Sequence, residues 1–122
     1  MPGRWRWRQR SLEGPGRPMK PRWIGMRPEV NRFSPSMRTS NEPLRQPVMI
    51  TYDELEALRL VDYQGLTQEE AALKMMVSRG TVWRCLDSAR KKAATMLVEG
   101  RELVIGDTRS HASPAYQSSE TE

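Results

Sequence analysis

A chain of 122 residues leaves room for one small domain and loose tails, not for a large enzyme core. Its net charge of +5 points to a polyanionic partner, while a single cysteine excludes an intramolecular disulfide and suits a reducing cytoplasm. No apolar run approaches the roughly 18 residues of a membrane span, and none follows the basic N-terminus as a secretory signal requires, so no membrane partner and a cytoplasmic location are expected.

Charge and proline divide the chain. Eight of the nine prolines lie between Pro2 and Pro47, so residues 1–47 read as a basic, mostly irregular arm. Residues 48–106 are the foldable domain, and 107–122, rich in Ser, Thr and Glu, read as a disordered tail. Residues 1–22 hold seven cations against one acid; the remaining 100 hold 13 cations and 14 acids, so the domain itself is polarised rather than basic. Between Asp53 and Glu70 six acids face one cation, whereas between Arg79 and Lys92 five cations face one acid.

The alternating RWRWR at 4–8 comes first. It reads as an unselected tail, as a groove-inserting arm or as an interfacial membrane patch. The apolar Val48, Met49 and Ile50 suit a short extended segment. Thr51, with Glu54 three residues on, has the capping-box spacing that starts a helix; Leu55, Ala57, Leu58, Leu60 and Val61 form its apolar stripe, and Gly65 stops it. Thr67 and Glu70 repeat the box for a short second helix to about Met75, where Ala71 and Ala72 permit close packing. Met76 and Val77 make a tight turn, and Ser78 caps a third helix ended by Gly100. The spacing of Val82, Leu86, Ala89, Ala93 and Leu97 predicts a buried stripe, with Gly80, Arg84, Asp87 and Lys91 opposite. Residues 102–105 suit a brief strand or a packing segment.

The predicted architecture is therefore an all-α, three-helix helix-turn-helix domain with an irregular N-terminal arm and a C-terminal tail. Such a unit lays its second helix in the DNA major groove. The expected DNA-binding residues are Ser78, Arg79, Gly80, Thr81, Trp83, Arg84, Ser88, Arg90, Lys91 and Lys92. Arg84 would read guanine by a bidentate contact, and Arg90, Lys91 and Lys92 would meet phosphates. Trp83 reads either as partial packing or as a thymine or sugar contact. Lys20, Arg22, Arg27 and Arg32 are expected arm-to-phosphate contacts. Cys85 reads as a small core residue, and His111 stands alone in the tail. No glycine-rich phosphate loop, nucleophile motif or metal-ligand spacing is visible, so neither an enzyme nor a metal or other cofactor is expected.

The segments PEVNRFSP at 28–35, TYDELEALRLVD at 51–62, GLTQEE at 65–70, VSR at 77–79, TVWR at 81–84, ARKK at 89–92 and LVEG at 97–100 occur in the order of a known family. Over residues 20–106 the chain resembles uncharacterised protein family 0251 (domain of unknown function 134), small prokaryotic proteins. Their helix-turn-helix is similar to region 4 of sigma-70-type factors, and they are regarded as DNA-binding on that ground. The resemblance implies a transcriptional regulator. An alternative is an adaptor that docks on RNA polymerase through the acidic 53–70 face and binds DNA weakly. A homodimer on a palindromic site is a further expectation, although no dimerisation element stands out.

Two departures accompany the resemblance. The turn carries Met76 where such turns usually have glycine, which implies a remodelled turn or a strained residue. Relatives commonly have cysteines where this chain has Gly25 and Met26, so no metal or redox role is expected of the arm. The family's proteins tend to begin near Met19, and residues 1–18 are expected to be an extension or a misassigned start.

Overall fold

The computed structural model describes residues 3–8 and 20–107. Residues 1–2, 9–19 and 108–122, which include Arg10, Arg17, His111 and nearly all of the expected tail, lie outside the described residues. In chain order the elements are β1 (Trp5–Trp7), β2 (Arg22–Ile24), β3 (Arg32–Phe33), β4 (Val48–Ile50), α1 (Tyr52–Leu58), α2 (Gln68–Met75), α3 (Arg79–Glu99) and β5 (Leu103–Ile105). A π-helical stretch, Arg59–Tyr63, prolongs α1.

The three helices are present, but the all-α expectation is overturned. Among the described residues five strands form two sheets, so the fold is mixed α and β. β1 and β2 pair antiparallel, Trp5 opposite Ile24 and Trp7 opposite Arg22. In the second sheet β5 lies between β3 and β4, antiparallel to β3 and parallel to β4. Each strand has two or three residues, too few to display a period of two. The parallel pair β4–β5 forms only because the whole helical unit acts as its crossover.

The local signals for the helices act as their chemistry dictates. The Thr51 N–H donates to Glu54 Oε1 at 2.9 Å, and its hydroxyl donates to Asp53 Oδ1 at 2.6 Å. Thr67 and Glu70 close a reciprocal capping box at 2.8 and 3.1 Å. Gly65 and Gly100 end their helices with positive φ, 82° and 65°.

Two clusters share α3. Ala57, Leu60, Ala71, Ala72, Met75, Val82, Cys85 and Leu86 fill the space among the helices. Further along, Ala89 joins Val48, Ile50, Leu103 and Ile105, so the sheet covers the second half of the helix. The expected stripe fails at its end: Leu97 is 75% exposed, and Met96 packs against the sheet cluster instead. A 3.6-residue period allows either residue at that turn, and the position of the sheet selects between them.

Candidate nucleic-acid interface

α2, the turn and α3 form the predicted helix-turn-helix, and the turn is where sequence and backbone conflict. Met76 adopts the left-handed conformation, φ 57° and ψ 48°, with its side chain exposed. Of the two alternatives for this residue, the strained one holds: a Cβ in that region costs roughly 1–2 kcal/mol relative to glycine. The conformation reverses the chain, and Val77 N–H returns to Ala72 O at 3.1 Å. Ser78 then starts α3 by accepting from the Thr81 N–H at 3.1 Å.

The first turns of α3 carry an exposed polar rim. Ser78, Arg79, Gly80, Trp83 and Arg84 are exposed and Thr81 is half-buried. Arg84 Nη2 donates to Thr81 Oγ1 at 3.2 Å, which lays the guanidinium back along the helix. Gly80 sits under it: an added Cβ would stand 3.7 Å from Arg84 Nη1. Trp83, 47% exposed, joins Gln68, Arg79 and Gly80 around a depression of about 470 Å³ between the two helix starts. Arg79 makes only a loose contact with Glu69, 3.4 Å, with both side chains 65% exposed.

The later cations of α3 behave differently. Lys92 Nζ and Ser88 Oγ both donate to the Glu54 carboxylate, at 2.7 Å each. Arg90 forms a bidentate pair with Asp62 at 2.8 and 2.9 Å. Ser88, Arg90 and Lys92, expected at DNA, thus tie α3 to α1 and its π-helical extension. Lys91 alone of this group points outward, 77% exposed and 3.4 Å from Asp87 one turn back.

Titration follows these contacts. Burial opposes ionisation of Glu54, but the Lys92 ammonium, the Thr51 N–H and the Ser88 hydroxyl outweigh it and hold its carboxyl below the usual range. Arg90 does the same for Asp62. Burial and the nearby Asp53 push the Cys85 thiol up to about 12, and its Sγ lies 3.5 Å from Asp53 Oδ2. Cys85 is a protonated seam residue rather than a nucleophile.

The arm residues also divide. Lys20 and Arg27 are exposed, Arg27 lying 4.3 Å above the Trp5 ring. Arg22 turns inward, its Nε 3.2 Å from Asp53 Oδ2, with both side chains largely buried. Arg32 pairs with Glu102 at 3.0 Å beside the β3–β5 ladder. Gly25 donates its N–H to Glu56 Oε2 at 2.8 Å; a Cβ there would stand 2.7 Å from Arg59 Nη2. That close approach to the Arg59–Glu56 pair is why glycine suits this position.

The alternating 4–8 segment is built into the fold. Trp7 is 6% exposed and donates its indole N–H to Asp107 at 3.2 Å. Trp5 and Trp7 both meet Tyr52 edge-on, with ring centroids 5.2 and 6.0 Å away. Arg4 and Arg6 lie over the Trp23 ring at 4.7 and 5.8 Å, and Arg4 Nη1 donates to Lys74 O near the end of α2 at 3.3 Å. Arg4 and Arg6 are exposed beside Trp23 but are not among the contact residues expected from the sequence. The signal was the alternation itself, which in a strand sends arginines and tryptophans to opposite faces. No helix among the described residues is long and apolar enough to cross a membrane.

The sequence pattern of the family described as "Protein of unknown function DUF134" matches residues 10–110. The chain is 62% identical over 84 residues to a UPF0251 protein of Thermococcus kodakarensis, covering 69% of this chain and 74% of that one. It is 58% identical over 92 residues to one of Pyrococcus furiosus, covering 75% and 84%. A UPF0251 protein of Archaeoglobus fulgidus is 41% identical over 100 residues, covering 82% and 90%. No solved structure matches the chain. β1 precedes the matched residues, whereas β2 to β5 and all three helices fall within them. By that match and those identities, the chain belongs to the DUF134 family, whose members carry the name UPF0251.

Proposed function

We propose that this protein binds double-stranded DNA with sequence selectivity and regulates transcription. Its α2–turn–α3 unit would serve in the manner of sigma-70 region 4. The observation that carries the reading is the rim from Ser78 to Arg84: a capped helix start that leaves two arginines, a tryptophan and a glycine facing solvent beyond a tight turn. The first turns of the second helix are what such units insert in the major groove. Arg84 supplies the planar fork that matches guanine O6 and N7, and Lys91 supplies a point charge for phosphate.

Selection from a random duplex pool tests the proposal, and an enriched motif is the expected result. Arg84→Ala should relax preference at one base pair by about 1–3 kcal/mol. Lys91→Ala should weaken all sequences alike and lower the salt slope by about 1. A pool from which no motif emerges would count against selective binding, and an Arg84→Ala variant with unchanged preference would remove that residue from base reading.

The alternative of docking on RNA polymerase needs free acid on the 53–70 face. Asp53, Glu54 and Glu56 are buried or half-buried in ion pairs and Asp62 is held bidentate by Arg90, so of the six acids on that face Glu69 and Glu70, at the start of α2, are the two that stand exposed outside close ion pairs. That observation favours the DNA reading over the adaptor.

A further inference from the structure

The distribution of unpaired charge carries one step more. Two cations of α3 are committed to the fold, Arg90 with Asp62 and Lys92 with Glu54, and two more stand at the surface 3.4 Å from an acid, Arg79 by Glu69 and Lys91 by Asp87. Arg4, Arg6 and Arg27 differ. Among the described residues none of them joins an ion pair, and all three guanidinium groups rest on tryptophan faces. We infer that the β1–β2 hairpin is a second, sequence-independent DNA contact, in which Arg4 and Arg6, stacked on Trp23, bind backbone phosphates beside α2. The inference rests on the DNA-binding proposal above and adds a surface to it.

Three features support the assignment. The first is chemistry. A guanidinium stacked on an indole has its plane fixed, while its N–H edges remain available for phosphate oxygens. The second is position. Arg4 reaches the carbonyl of Lys74 in the last turn of α2, two residues before the Met76 turn, and Lys74 is itself exposed. In a helix-turn-helix the first helix crosses the DNA backbone, so this cluster lies beside the strand that α2 would meet. The third is the orientation of the tryptophans. The indole of Trp5 donates to Met26 O at 3.2 Å, and Trp7 is buried against Tyr52 and Asp107. Their engagement inside the fold argues against insertion into a lipid surface, which needs free indoles.

The test uses the full chain and measures affinity for a duplex across a salt series. Each lost phosphate contact should lower the log–log slope by about 0.9, so the double variant R4Q/R6Q should lose roughly 2 units of slope. Between about 50 and 200 mM salt its affinity should therefore fall about tenfold less than that of the wild type. Sequence preference should be unchanged, and R4K/R6K should restore most of the slope. Should R4Q/R6Q melt early, the single variants, each expected to remove about one unit, carry the measurement. Wild-type slope and affinity in folded R4Q/R6Q would overturn the hairpin contact and leave DNA binding by α3 standing. A wild-type chain that binds no duplex would overturn both. Loss of binding to anionic vesicles in R4Q/R6Q, with duplex affinity unchanged, would assign the arginines to membrane and sink the inference.

Discussion

Along α3 the same residue types serve two regions in opposite ways. In the seam with α1, Lys92 and Ser88 converge on Glu54 while Arg90 grips Asp62. At the rim one to three turns earlier, Arg84 reaches only a hydroxyl of its own helix and Trp83 stands half in solvent. What separates the regions is the neighbouring element. Where α1 lies alongside α3, a lone carboxylate would be partly buried and needs its cation. Where α3 begins beyond the turn, Arg84 borders the same depression as Asp53 and Glu54, but those carboxylates are paired with Arg22 and Lys92. A basic helix is therefore not uniformly a ligand surface. Seam variants should lower stability and rim variants should lower DNA affinity.

The sharpest way to break this division is Arg22, which sequence assigns to DNA and the fold assigns to the seam. Arg22→Met strands Asp53, itself 6% exposed, and should cost about 3 kcal/mol in denaturant unfolding. Asp53→Asn in the same chain should recover much of that loss. If Arg22→Met instead left stability within ~1 kcal/mol and weakened duplex binding, Arg22 would belong with the rim.

A smaller effect is expected at Glu54. Glu54→Gln weakens charge-assisted bonds to Lys92, Ser88 and the Thr51 N–H and should cost about 2 kcal/mol at neutral pH. Because its folded carboxyl titrates below the usual range, its stabilisation is present above that range and is lost as pH falls through the depressed value. Stability curves of wild type and Glu54→Gln should therefore converge on acidification. Parallel curves would show that Glu54 is not the linked group.

The smallest effect concerns the turn. Met76→Gly removes the left-handed strain but frees the unfolded chain, for a net gain of about 0.5–1 kcal/mol with duplex affinity unchanged. A loss of stability there would mean that the exposed methionine makes contacts worth more than its strain.

Much of the helical unit was legible in the sequence because its signals are local. The Thr67–Glu70 capping box, the Ser78 cap and the terminal glycines each act within four residues. The site was legible in part. Ser78 to Arg84 come together at one helix start, while Ser88, Arg90, Lys92, Arg22 and Arg32 pair with acids distant in sequence. Nothing in the order of residues signals that Asp62 will stand beside Arg90. β4 and β5 stand where the sequence suits an extended segment, whereas β2 and β3 were hidden by their brevity. The RWRWR alternation was not read as a strand although its period of two is a strand signature.

The sequence by itself determined where helices start and stop, that Met76 sits where a turn favours glycine, and that the charge is polarised, since caps, φ preferences and composition need no distant partner. That the residue is strained rather than the turn remodelled came from the backbone. Only the tertiary structure decided which cations remain free and that two small sheets exist. Ion pairing and strand pairing join residues far apart in sequence, and burial at those meeting points determines whether a charge serves the fold or faces a ligand.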